Sequence, residues 1–97
     1  MPAYLIFRVS NVTDTAKMQA YREDSPATIA AFGGRMLSAG QPETHEGPEE
    51  TARMGIIEFK DMETARAWIT SPEYKAVQKA RFGAADIQLM LIDGLPS

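Results

Sequence analysis

A ferredoxin-like α+β sandwich, with a four-stranded antiparallel sheet and two helices on one face, is the fold this sequence predicts, and three observations predict it. Four short apolar segments rich in β-branched and aromatic residues are spaced along the chain. Two stretches with apolar residues at helical spacing follow the first and the third of these segments. The resulting order, β-α-β-β-α-β, closes as two right-handed β-α-β halves that share one sheet. At 97 residues the chain is expected to form a single domain over residues 1–97. Its core is modest, because folding at this size hides only about two-thirds of the unfolded surface.

The first segment, Tyr4 to Val9, is almost entirely apolar, which predicts a strand buried on both faces. Asn11, Thr13 and Asp14 supply turn and N-cap chemistry for a helix with Met18, Tyr21, Ile29 and Phe32 on its inward stripe. Proline lacks the amide donor and disfavours helical geometry in the residue before it, so Ser25-Pro26 is expected to bend or restart that helix. Gly33-Gly34 ends it, since glycine takes the left-handed C′ conformation without steric cost. Arg35 to Ala39 reads as the second strand. Gly40 to Glu50, with two prolines, two glycines and several acids, reads as a loop or the mobile tip of a hairpin. "RMGIIEFK", Arg53 to Lys60, is the third strand. Asp61 then caps a helix whose inner stripe is Ala65, Trp68 and Ile69. Ser71-Pro72 restarts it, Tyr74, Val77 and Arg81 follow, and Ala85 to Asp93 forms the last strand.

Helices on one side leave the other side of the sheet open. Alternation turns Leu5, Phe7, Val9, Ile57, Phe59, Ile87, Leu89 and Leu91 toward the helices. It turns Tyr4, Ile6, Arg8, Met54, Ile56, Glu58, Gln88, Met90 and Ile92 the other way. This second set is too apolar for water and carries polar groups that are costly in a dry core. A second copy covering it, in a barrel-like homodimer with a partly polar interior, resolves the conflict.

Net charge −3 with 24% charged residues argues against a grip on nucleic-acid phosphates. The absence of cysteine removes disulfides, thiolate zinc sites and cysteine nucleophiles. No window reaches the roughly 18 apolar residues of a membrane helix, and the chain reads as cytoplasmic by default.

The residues "AYLIFRVSNVTD", "AFGGRML", "HEG", "IIEFKDMETARAWITSPEYKAVQKAR" and "LIDG", in this order and spacing, resemble domain-of-unknown-function family 1330 (DUF1330) of the dimeric α+β-barrel superfamily. The resemblance covers almost the whole chain, and "EF…A.AW..SPEY" is its most specific part. It implies a ferredoxin-like fold and a dimer formed through the sheets, but no activity for the family itself. Elsewhere in the superfamily stand cofactor-free monooxygenases, muconolactone isomerase-like enzymes and stress-related binding proteins, an analogy of fold only. In one respect the chain departs from the family: Ala39 stands where an arginine is usual, which would weaken any anion site that such an arginine serves.

Among candidate functional residues, His45 is the only histidine and the natural acid-base group, though "PETHEGPEE" places it in an acidic, solvated loop. With Glu43, Glu46 and Glu49 it lacks the further nitrogen or sulfur ligands of a tight metal site, and no metal or cofactor is expected. Tyr21 and Tyr74 suit the lining of a ligand pocket, while Trp68 suits the core. Arg8, Arg35, Arg53 and Arg81 could hold a carboxylate or enolate by bidentate hydrogen bonds, or pair with acids such as Glu58 and Asp86. Arg8, on an otherwise buried face, leads these four, and Arg81 comes second. "FGGR" stops a helix and does not open one, so it is no nucleotide fingerprint.

The expectation is a small homodimer that binds a small organic molecule in a cavity between sheet and helices through Arg8, Tyr21, Tyr74 and Arg81. One alternative is a cofactor-independent oxygenase or isomerase in which His45 or a tyrosine moves a proton and an arginine stabilises the oxyanion. Another is a dimerisation module without a ligand.

Overall fold

Alternating side chains along β1 (Ala3–Ser10), β2 (Arg35–Gly40), β3 (Arg53–Phe59) and β4 (Asp86–Asp93) build one antiparallel sheet in the order β2-β3-β1-β4. The structure is a computed structural model that describes residues 1–96. Helices α1 (Thr15–Ala31), α2 (Met62–Thr70) and α3 (Pro72–Lys79) complete the ferredoxin-like α+β fold. The central strand β1 pairs Leu5 with Ile57 on one side and with Leu91 on the other.

Capping follows the sequence closely. The Asp14 carboxylate accepts the Lys17 amide at 3.0 Å, and the Asp61 carboxylate accepts that of Thr64 at 2.7 Å. At the end of α1, Gly33 takes φ +71°. Its amide donates to Ala30 at 2.9 Å and that of Gly34 to Ile29 at 3.0 Å, the two bonds of a Schellman stop.

The two Ser-Pro pairs behave differently, and the expectation of a restart at Ser25-Pro26 is corrected. Helix α1 runs unbroken from Thr15 to Ala31 with Pro26 inside it. The reason lies in the phase of the inward stripe. Thr28 and Ile29, seven and eight positions after Tyr21 and so about two turns on, return to the same face. Only an uninterrupted helix keeps them there. Tyr74 lies six positions after Trp68, about 1.7 turns, and would miss Trp68's face in a continuous helix. One extended residue corrects the phase: Ser71, at φ −68° and ψ 149°, closes α2 and opens α3. Its hydroxyl donates to the Trp68 carbonyl at 2.7 Å and accepts the Tyr74 amide at 3.1 Å.

Strand β2 carries a bulge at Leu37: Met36 pairs with Ile57, but Ser38 with Ile56 and Ala39 with Gly55. In a regular strand Met36 and Ala39 would face opposite sides; the extra residue turns both toward the helices. Gly55 faces Phe7 across the strands, and a Cβ there would overlap the Phe7 ring.

The core gathers Leu5, Phe59, Trp68 and Tyr74, all fully buried, with Ile29 and Ile57 beside them. The opposite side of the sheet is uncovered in the single chain. On it Tyr4, Ile6, Arg8, Met54 and Glu58 are half-buried, while Ile56, Gln88, Met90 and Ile92 are exposed. Within one chain, therefore, β1 is not buried on both faces. The polar stretch before β3 is tied down: the Gln41 amide donates to the Glu50 carbonyl at 3.1 Å and the Glu50 amide to Thr44 Oγ1 at 3.0 Å.

Candidate functional site

Helix α1 leans on α3 more than on the sheet beneath it. The space left between helix and sheet is a cavity of about 250 Å³. Its sheet side is apolar, made by Leu5, Phe7, Ile57 and Leu89, and Met18, Ile29 and Trp68 close it from the helices. Ala39 adds no bulk at the β2 side. The ionisable residues lining it are Tyr21, Arg22, Arg53 and Arg81. Among the described residues no carboxylate or imidazole joins them.

Arg81 is set by the turn after α3. Its carbonyl accepts the Ala84 amide at 3.0 Å, and the Ala84 carbonyl in turn accepts the Thr13 amide at 2.7 Å, which clamps this turn to the start of α1. The side chain is 92% buried, at 8% exposure. The guanidinium lies 4.9 Å above the centre of the Tyr21 ring, a cation–π contact. Nη2 donates to the Tyr74 hydroxyl at 3.2 Å, whereas Nε is buried without a partner. No acid pairs with Arg81 among the described residues.

Tyr74 and Tyr21 extend this line, their hydroxyl oxygens 2.7 Å apart. The directions of the hydrogen bonds follow from burial. Tyr74 is fully buried, and its oxygen already accepts from Arg81. Its own proton must find an acceptor, since an unmade buried bond costs about 1–3 kcal/mol, and Tyr21 Oη is the acceptor within reach. Tyr21 therefore accepts from Tyr74, and its own proton is free to be donated into the cavity. Burial above all pushes the Tyr21 phenol above its ordinary pKa.

Tyr21, Tyr74 and Arg81, singled out in the sequence, thus meet in one network. Arg8 does not join them. It lies on the uncovered face of the sheet, where Nε donates to Glu50 Oε2 at 3.1 Å and Nη2 to Glu50 Oε1. Glu50 Oε1 also accepts the Ala52 amide at 3.0 Å. The Arg8 hydrogen bonds, and next that backbone amide, hold the Glu50 carboxyl below its usual range. His45 stands in the loop, 80% exposed, bonded to Glu43 and lining no part of the cavity. Among the described residues no three His, Cys, Asp or Glu side chains gather to hold a metal, and no helix is long and apolar enough to cross a membrane.

The sequence reading passed over Thr28. Its hydroxyl accepts the Trp68 indole N–H at 3.1 Å and donates to the Ser25 carbonyl at 2.7 Å. Its place seven residues after Tyr21 on the inward stripe was the available signal.

Residues 2–95 match the model of a domain of unknown function (DUF1330). No curated protein matches the sequence. The fold is similar to that of a protein of unknown function from Rhodopseudomonas palustris, with TM-score 0.75, 22% identity, and coverage of 99% of this chain and 84% of that one. It is also similar to a dimeric protein of unknown function with a ferredoxin-like fold from Bacteroides fragilis, with TM-score 0.64, 14% identity, and 96% of each chain covered. SnoaB, a cofactor-independent oxygenase from Streptomyces nogalater, aligns with TM-score 0.67 and 13% identity over 99% of this chain and 95% of that one. At these identities the likeness is one of fold.

Proposed function

The chain belongs to the DUF1330 family, a domain of unknown function, and from that premise we propose that it is a homodimeric protein that binds a small organic molecule in the cavity between α1 and the sheet. One observation carries this reading: a buried arginine that no acid pairs among the described residues lines an apolar cavity that contains no acid. A buried charge costs several kcal/mol unless other groups compensate it, and a ligand supplies what the protein omits. The volume, about 250 Å³, falls just below the usual range for drug-sized ligands and suits a smaller molecule.

The dimer is supported by the apolar patch of Ile6, Ile56, Met90 and Ile92 on the uncovered sheet face. The Bacteroides fragilis neighbour is described as dimeric. A second copy is the partner that such a self-complementary face fits.

The binding reading is tested by thermal shift against a broad library of small organic compounds, with Ala39→Phe as the blocked variant, since Ala39 is exposed and faces the cavity. At a hundredfold excess over Kd a ligand adds about 2.7 kcal/mol, about 10 °C or more for a domain this size. Ala39→Phe is expected to keep its own Tm and lose the ligand shift. A library without a stabilising compound, or a shift that survives in the variant, contradicts the reading.

The second reading, a cofactor-independent oxygenase or isomerase, draws on the same two donors, Tyr21 and Arg81, which suit a developing oxyanion. Such chemistry also needs a base, and the residues lining the cavity do not include one. Turnover of a cavity ligand whose kcat falls in Tyr21→Phe would favour this reading over binding alone.

A further inference from the structure

We propose that the cavity takes an organic monocarboxylate, with one carboxylate oxygen accepting the Tyr21 hydroxyl proton and the other an unpartnered N–H of Arg81. The proposal rests on the binding reading above and adds the ligand's chemical class and orientation.

Apart from the Ser25 hydroxyl, which can also accept, the polar side chains of the cavity wall, Tyr21, Arg22, Arg53 and Arg81, bring donors. The relay from Arg81 to Tyr74 to Tyr21 spends the acceptor capacity inside the protein and delivers a hydroxyl proton at its open end. Within the protein Arg81 donates from Nη2, and Nε is shut off from the cavity, so Nη1 is the nitrogen left to meet a ligand. A neutral amine has a single lone pair, and an alcohol that accepts both bonds still brings a proton that needs an acceptor of its own, whereas a carboxylate offers two acceptor oxygens and no proton. Tyr21 Oη and the Arg81 guanidinium are joined along the relay by two hydrogen bonds, of 2.7 and 3.2 Å. A carboxylate accepting one bond from each spans such a gap.

Charge points to a monoanion. One buried guanidinium balances one negative charge, while Arg22 and Arg53 are exposed and can only draw the anion in. The chain as a whole carries −3, so the attraction is local to this opening. The remaining wall sets the rest of the ligand: Leu5, Phe7, Ile57 and Leu89 offer no hydrogen-bonding side chain and call for an apolar body.

Trp68 is the only tryptophan and lines the cavity, so its fluorescence reports occupancy directly. The experiment titrates butanoate, hexanoate and phenylacetate against the corresponding amides, in the wild type, Tyr21→Phe and Arg81→Met. At least one acid is expected to bind at least about tenfold more tightly than its amide. Tyr21→Phe, which removes a single oxygen and keeps the ring under Arg81, is expected to reduce that preference, and Arg81→Met, if it folds, to erase it. Equal binding of acids and amides overturns the carboxylate assignment while the cavity remains a binding site. A preference undiminished in Tyr21→Phe overturns the assigned contact. Silence of Trp68 to every acid and amide overturns the proposal, and the thermal-shift library then decides the binding reading on its own.

Discussion

Tyr74 sits where a mutation can separate packing from hydrogen bonding. Its ring packs 4.2 Å from that of Trp68, and its hydroxyl both accepts from Arg81 and donates to Tyr21. Phenylalanine keeps the ring and removes both bonds, leaving a buried guanidinium without a hydrogen-bond partner. Tyr74→Phe is expected to lose about 1–3 kcal/mol in chemical denaturation; an unchanged midpoint would show that the network contributes nothing. The sequence gives Tyr74 and Tyr21 as a pair of pocket candidates because a hydroxyl near a helix break has somewhere to go. It ranks Arg8 above Arg81, and here single-residue reasoning fails: alternation puts Arg8 on an apolar face but does not reveal that Glu50, far along the chain, returns to neutralise it. Nor does a turn position reveal that Arg81 folds back beneath two helices.

At the scale of the element, the two Ser-Pro pairs show what a dipeptide leaves open. Both read as restarts, and only Ser71-Pro72 is one, because the stripe it must connect is out of phase. Pro26 stays inside α1 at the cost of a backbone hydrogen bond. Pro26→Ala is expected to stabilise the protein by about 1–3 kcal/mol, less what the freer unfolded chain takes back, and to raise Tm. A lower Tm would mean that the proline ring's packing at the cavity outweighs the missing bond. The bulge at Leu37 was equally hidden, since "RMLSAG" has no alternation strong enough to show a slip. The loop before β3 makes a pH prediction. Its Glu50 has a lowered carboxyl pKa, so its contribution to order is complete above the ordinary carboxylate value and is lost as pH falls through the lowered one. Amide resonances of residues 41–52 are expected to shift and broaden on acidification below that ordinary range. Glu50→Gln should show the loosened loop already at neutral pH; a variant loop identical to the wild type would contradict this account.

For the molecule as a whole, period and turn chemistry were enough to order the strands and helices and to divide β1, β3 and β4 between two faces. The cavity was legible only as a possibility, because it is the gap left when α1 leans on α3, and no local pattern encodes a gap. The same division of faces predicts assembly. Ile6 faces Ile56 on one neighbouring strand and Met90 on the other, in the middle of the uncovered side. A dimer mass is expected from light scattering at micromolar concentration, and Ile56→Glu is expected to yield a monomer. A wild-type monomer would contradict the assembly and leave the cavity argument in place, since the cavity lies on the opposite side of the sheet.

The central claim, that the site lies between α1 and the sheet, is tested most directly by mapping amide chemical-shift changes on titration with phenylacetate. The account predicts shifts that saturate and cluster at Tyr21, Trp68, Tyr74 and Arg81, with the Trp68 indole N–H among the largest. Shifts centred instead on Tyr4, Ile56 and Met90 across the sheet, or none up to millimolar phenylacetate, would contradict it.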